Sequence, residues 1–223
     1  MDSNRSDSAY IGTIETSQEL NAQKVLKNTY FLLSLTLAFS ALCSFIAMSM
    51  NMPMMHPLLT IGVFYGLLFL VYKTANSAAG IASVFALTGW LGWTTGPIIS
   101  AYIAMGSGSI VTLSLAGTAG IFVSLSAFSL ITKKDFSFLS KFVFVGIIVA
   151  IIAMVANIFL GIPALSLAIS SVVMLLSSAI ILMQTSAIVN GGETNYILAT
   201  VTLFVQIYNL FLSLLNILSA FDD

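Results

Sequence analysis

"ILMQTSAIVNGGETNYILATVTLFVQIYNLF" runs from Ile181 to Phe211. Two long apolar runs flank a polar Gly-Gly turn, and neither run shows the strict alternation of a strand. A bilayer offers no partners to backbone N–H and C=O groups, so an apolar chain crosses it as helices or as a closed barrel. Runs of this length without alternation point to helices. The stretch therefore reads as an antiparallel pair of membrane helices joined by a short turn. It also carries two large amides, Gln184 and Gln206, set among apolar residues.

Working outward, the same pattern fills the chain. Of 223 residues, 59% are hydrophobic and 7% charged. Soluble domains carry about 25% charged and 45–50% apolar residues. This composition specifies an all-α integral membrane protein embedded in a lipid bilayer. Seven segments approach or exceed the roughly 20 residues that cross the hydrocarbon core: 29–50, 57–73, 80–103, 109–131, 140–160, 163–188 and 196–219. Gly161-Ile162-Pro163 leaves almost no loop between the fifth and sixth. Residues 1–28 are polar and poor in large apolar groups. They read as a flexible tail, part of which, within 14–28, extends the first helix. Residues 29–223 form the membrane domain. No cleavable signal peptide is present, because a polar, charged stretch precedes the first apolar run.

Seven spans place Arg5, Lys24, Lys27, Lys73, Lys133, Lys134 and Lys141 on one side and no Lys or Arg on the other. Positive charge is retained in the cytoplasm. The expected topology thus has a cytoplasmic amino terminus and an external carboxyl terminus. Dropping one span scatters the lysines over both sides.

The last span carries Thr202, Gln206, Asn209, Ser213 and Asn216 at spacings of 4, 3, 4 and 3, which collects them on one helical stripe. Gln206 lies about 15 Å along this helix, near the midplane. The sixth span lines up Ser170, Ser177 and Gln184, and the fifth aligns Asn157 with Gly146, Ala150, Ala153 and Gly161. Such stripes face protein or water rather than lipid. Two readings stand side by side: interhelical hydrogen bonding, or an aqueous, ion-accessible cavity. Gly62 and Gly66, and Gly92 and Gly96, have the four-residue spacing that lets helix backbones approach. Gly96-Pro97 is expected to kink the third span, as a packing feature or a hinge. Glu193 is expected to cap the start of the seventh span, or else to pair with a cytoplasmic lysine.

Several function classes lack residues. No basic cluster could track nucleic acid. His56 stands alone in its loop, and no His/Cys/Glu set has metal-ligand spacing. No nucleotide loop, nucleophile elbow or zinc-protease motif is present, and the embedded segments hold no carboxylate or histidine. The reading is of a non-enzymatic chain without a cofactor or catalytic residue.

Five stretches are more specific than composition: "KVLKNTYFLLSLTLAFSA" (24–41), "YKTANSAAGI" (72–81), "TGPIISAY" (95–102), "MVANIFLGIPALSLAIS" (154–170) and "GGETNYILATVTLFVQIYNLF" (191–211). In these the chain resembles the Bax inhibitor-1 family of seven-span membrane proteins, and in particular its bacterial inner-membrane members. The resemblance implies a modulator and substrate of FtsH, the membrane-anchored ATP-dependent protease. The protease would be engaged through the cytoplasmic tail, and its attack on the translocon subunit SecY restrained. The wider family implies a second function, calcium leak gated by a pair of aspartates bridging the last two spans. Matching "NLF" puts those aspartates on Gln206 and Gln184, where this chain has amides. The resemblance therefore implies a neutral interhelical pair and altered pH gating.

Overall fold

The computed structural model describes the backbone of residues 3–221 and the side chains of residues 19–221. Among the described residues, seven α-helices follow one another: α1 (Ser3–Ser49), α2 (Pro57–Thr74), α3 (Ala79–Ala104), α4 (Gly108–Thr132), α5 (Ser140–Leu160), α6 (Pro163–Val189) and α7 (Tyr196–Ser219). A single 3-10 turn, Ser137–Leu139, precedes α5. No strand occurs among the described residues. Helix α1 is continuous from Ser3, so residues 3–28 of the stretch expected to be a flexible tail are joined to the first span as one helix, and residues 1 and 2 lie outside the described residues. The side chains of residues 1–18 lie outside the described residues.

Local chemistry sets the helix ends. Pro57 and Pro163 occupy first-turn positions, where a missing N–H costs nothing. His56, exposed in its loop, caps α2 by accepting from the Leu58 N–H at Nδ1. Gly161 ends α5 with φ near 60°, a left-handed conformation that costs glycine little. Asn157 Oδ1 accepts from the Ile162 N–H at 3.0 Å and closes the same corner. Asn157 thus shapes the α5–α6 turn.

Among the described residues, six helical segments are long and apolar enough to cross a membrane: Glu19–Ser49, Pro57–Thr74, Gly108–Thr132, Ser137–Leu160, Pro163–Val189 and Tyr196–Ser219. Helix α3 is not one of them, although its 26 residues extend about 39 Å at 1.5 Å per residue. Its composition follows from its place. It buries twelve residues, among them Gly80, Ser83, Thr88, Gly89, Gly92, Thr94, Thr95 and Gly96. A helix enclosed by others needs small, close-packing side chains, not a lipid-soluble coat. Helix α5 is the opposite case. It packs on α6 and buries only Val143 and Ala150, leaving residues such as Phe142, Ile152 and Phe159 exposed on a face suited to hydrocarbon.

The most extensive packing is of α1 on α3, followed by α6 on α7. A Cβ placed on Gly92 would strike the Ser40 carbonyl, and one on Gly96 would lie 2.6 Å from the Ser44 carbonyl. The two helix backbones are therefore in direct contact. The other glycine pair behaves differently: Gly62 and Gly66 in α2 have nothing within 4 Å of a built Cβ. Their spacing does not mark a contact. Pro97 lies inside α3 and is itself buried, beside this seam.

Three loops meet at one end of the bundle. Asn195 Nδ2, from the α6–α7 loop, donates to Asn76 Oδ1 at 2.8 Å and to the Ala75 carbonyl at 3.2 Å, both in the α2–α3 loop. Ser186 Oγ, near the end of α6, donates to the Lys134 carbonyl at 2.7 Å and accepts from the Phe136 N–H, in the α4–α5 loop. Lys24 of α1 faces Asn190 and Glu193 across a cleft at the same end. We call this the lysine end.

Candidate functional site

Two polar groupings deserve comparison: the stitched loops of the lysine end and the stripe along α7. The turn leaving α6 begins with Asn190 and has Gly191 at φ +74. The Gly192 and Glu193 N–H groups both donate to the Ala187 carbonyl. This places Glu193 beside α6, where its Oε2 accepts from Gln184 Nε2 at a long 3.4 Å. Its Oε1 accepts from the Asn195 N–H at 2.8 Å.

The expected cap role of Glu193 is therefore corrected. Asn195 caps α7, its Oδ1 accepting from the Ile197 N–H at 2.9 Å and the Leu198 N–H at 3.2 Å. The geometry explains the exchange. A cap must sit immediately ahead of the first helical residue to reach the free N–H groups one turn in. Asn195 does; Glu193, two residues earlier, fixes the cap instead. One side chain thus starts α7 and ties two loops together. Replacing Asn195 by alanine is expected to cost about 1–3 kcal/mol, a lost cap together with the unpaired Asn76 and Ala75 acceptors. Unfolding in mild detergent measures it. An effect within about 0.5 kcal/mol, the range of an ordinary surface substitution, would discount the clamp.

Between this loop and α1 lies a polar cleft of about 520 Å³, lined by Asn21, Lys24, Asn28, Asn190, Glu193 and Tyr196 among others. Just beyond it, Thr200 Oγ1 donates to the Thr29 carbonyl at 3.3 Å, and the Tyr30 and Thr185 hydroxyls lie 3.5 Å apart. These contacts bring α1 against α6 and α7. Sequence reading passed over Asn76, Asn195, Ser186, Thr29 and Tyr30. The one signal available was Asn195 directly ahead of the apolar run at Tyr196, a recognisable helix-start pattern.

Along α7 the polar residues do not act alike. Asn216 Nδ2 donates to Ser170 Oγ at 2.7 Å and to Ser166 Oγ at 3.1 Å, a direct tie from α7 to α6. Ser213 and Ser177 are buried; Thr202, Gln206 and Asn209 are half-buried. The structure does not join Gln184 to Gln206 among the described residues; Gln184 turns to Glu193. The register gives the reason. With Asn216 level with residues 166–170, antiparallel packing sets Gln206 level with about residue 178 and Gln184 with about residue 200, an axial offset of roughly 9 Å. Buried polar atoms without a partner among the described residues include Thr29 Oγ1, Ser44 Oγ, Ser114 Oγ, Ser126 Oγ and Trp90 Nε1.

Comparison with known proteins places this architecture. The family model described as "Inhibitor of apoptosis-promoting Bax1" matches residues 22–223. The chain is 54% identical over 199 residues to "Modulator of FtsH protease YccA" of Escherichia coli strain K12, covering 89% of this chain and 91% of the relative. It is 56% identical over 189 residues to an uncharacterized protein of Pasteurella multocida, covering 85% and 86%. It is 48% identical over 202 residues to an uncharacterized protein of Pseudomonas aeruginosa, covering 90% and 91%. Another strain's relative carries the name "Inner membrane protein YccA". The apolar helices and these relatives agree on a multi-pass protein of the bacterial inner membrane. The chain belongs to the Bax1-I family, the inhibitors of apoptosis-promoting Bax1.

Proposed function

We propose that this protein is a non-enzymatic modulator and substrate of the FtsH protease, engaged through its amino-terminal segment at the cytoplasmic face. The observation that carries the reading is 54% identity, over nine-tenths of both chains, to a protein named for that role. The lysine end supports it. The seven-span topology, with α3 also crossing, puts all seven Lys and Arg residues on one side, where positive charge is held in the cytoplasm. If α3 failed to cross, Lys133, Lys134 and Lys141 would fall on the opposite side from Lys73. The loop contacts at Asn195 and Ser186 instead hold these segments together at one end. A protease working from the cytoplasm would meet that end and the start of α1, while Ser219 lies at the far end of α7.

The test is co-purification. Tagged protein extracted from membranes in mild detergent should retain FtsH, and a chain lacking residues 1–20 should retain much less. Equal recovery from both would remove the amino terminus from the interaction.

The second reading is ion leak through the polar stripe. Carboxylates close enough to share a proton titrate and so give a pH switch; hard oxygen ligands with negative charge also hold calcium. Gln184 and Gln206 provide neither charge nor titration, and Asn216 is engaged in an interhelical tie. We therefore expect calcium flux in proteoliposomes to lack a steep change between acid and neutral pH. An acid-dependent change that disappears in Gln206→Leu would reverse this conclusion.

A further inference from the structure

The corner between α4 and α5 carries Lys133, Lys134 and Lys141, all exposed. Asp135 is the one carboxylate among them. Its Oδ1 accepts from the Ser137 N–H at 2.8 Å and its Oδ2 from the Ser137 hydroxyl at 2.9 Å. Those bonds stay within the loop. Three lysines against one aspartate leave the stretch with a net charge of +2. Lys141 lies in the first turn of α5, where the helix dipole is positive as well. The backbone beneath is held in place, because Ser186 of α6 bonds to both the Lys134 carbonyl and the Phe136 N–H. Two extended steps, one 3-10 turn and the start of a helix separate Lys134 from Lys141 by at most about 16 Å. The positive charge is thus local and presented from a fixed frame.

Phe138 and Phe142 stand at the same corner, 71% and 67% exposed. They begin a stripe that Val145, Val149 and Ile152 continue down α5 at spacings of 4, 3, 4 and 3, all exposed. Such spacing keeps them on one face of the helix. Lys141, three residues after Phe138 and four before Val145, shares that face. The outer surface of α5 is therefore basic at its top and hydrocarbon-like below. Three anionic partners compete for it: nucleic acid, an acidic protein segment and an anionic phospholipid. Nucleic acid needs a longer positive track than one corner offers. An acidic segment answers the lysines but gives the stripe below them nothing. A phospholipid answers both, with phosphate beside the lysines and acyl chains along the stripe.

We propose that the α4–α5 corner is a docking site for an anionic phospholipid, its headgroup phosphate held by Lys133, Lys134 and Lys141 and its chains laid along the Phe138–Ile152 face of α5. Phosphatidylethanolamine offers the same chains under a headgroup of no net charge, so the corner selects by charge. Lys73 is the contrasting case: exposed, and the one basic residue in the last turn of α2. This site stands apart from the protease reading and does not depend on it.

The experiment is native mass spectrometry of the full-length protein in mild detergent, titrated with phosphatidylglycerol or phosphatidylethanolamine of identical acyl chains. The protein should retain phosphatidylglycerol about fivefold or more over phosphatidylethanolamine, a discounted share of the attraction of three lysines for an anionic headgroup. Replacing the three together by glutamine (K133Q, K134Q and K141Q) should bring the two lipids within about twofold of each other. Replacing them by arginine keeps the charge and should keep the preference, as should K73Q. Equal retention of the two lipids by the wild-type protein would overturn the proposal. So would a preference that survives the triple glutamine change or is lost equally with K73Q. Binding of soluble glycerol phosphate as tight as that of phosphatidylglycerol, or displacement of the lipid by poly-glutamate, would also overturn it. Should the glutamine variant fail to fold, the wild-type ratio and the arginine variant still decide the matter.

Discussion

In cells that contain FtsH, a chain lacking residues 1–20 outlives the intact protein several-fold, and in cells without the protease the two decay alike. A translocating protease must first grip a stretch of chain that opens at little cost. The loops at the lysine end are poor candidates. The α2–α3 loop is only residues 75–78, and Asn195 holds two of its residues. The α4–α5 loop is pinned through Lys134 and Phe136 to Ser186. The α6–α7 turn is closed by three N–H groups on Ile188 and Ala187. The amino-terminal stretch differs. Residues 1–28 hold little apolar surface to offset ordering, and the end of a helix frays with little penalty. Pulse-chase decay measures the half-lives. Identical turnover of the two chains in protease-containing cells would show that the grip lies elsewhere.

The second large effect concerns the seam between α1 and α3. Gly92→Leu is expected to destabilise the protein by about 3 kcal/mol or more, because the added side chain meets the Ser40 backbone rather than a movable side-chain tip. Even Gly92→Ala must push the helices apart. Gly62→Ala is the contrasting case. Its Cβ enters open space, and alanine favours the helix by about 0.8–1 kcal/mol, a gain that a lipid-facing site reduces. Denaturant titration in micelles, followed by circular dichroism, compares the two. Similar shifts for Gly92→Ala and Gly62→Ala would mean that the backbone contact contributes nothing.

These glycines also show where sequence reading runs out. Both pairs present the same four-residue spacing, yet only one meets a partner. Spacing records which residues share a helix face and is silent on what lies opposite. The helix ends were more legible. The last two spans, read as 163–188 and 196–219, are observed as Pro163–Val189 and Tyr196–Ser219. Solvation enforces this, since the polar turn must leave the bilayer and Pro163 fits only a first turn. The α3 segment was legible as a helix of crossing length, but its enclosure was not. Its glycines and threonines weaken the apolar signal for the very reason that other helices surround it. In the α6–α7 loop, Glu193 and Asn195 both suit a helix start, and the choice turned on a two-residue difference in where α7 begins. Gln184 and Gln206 were read on polar stripes of neighbouring spans, α6 and α7. Their separation depends on how α6 slides along α7, which is fixed by packing and by the Asn216 tie.

The contact between α1 and α3 sets a condition on the order of assembly. The first span is complete at Ser49, but its backbone partner ends only at Ala104, 55 residues later. At 5–20 residues per second, translation leaves α1 waiting about 3–11 s for its seat. Throughout that interval, the groove that α3 will fill lacks its partner. If the protease grips the amino terminus as proposed, newborn copies are most open to removal before the third helix arrives.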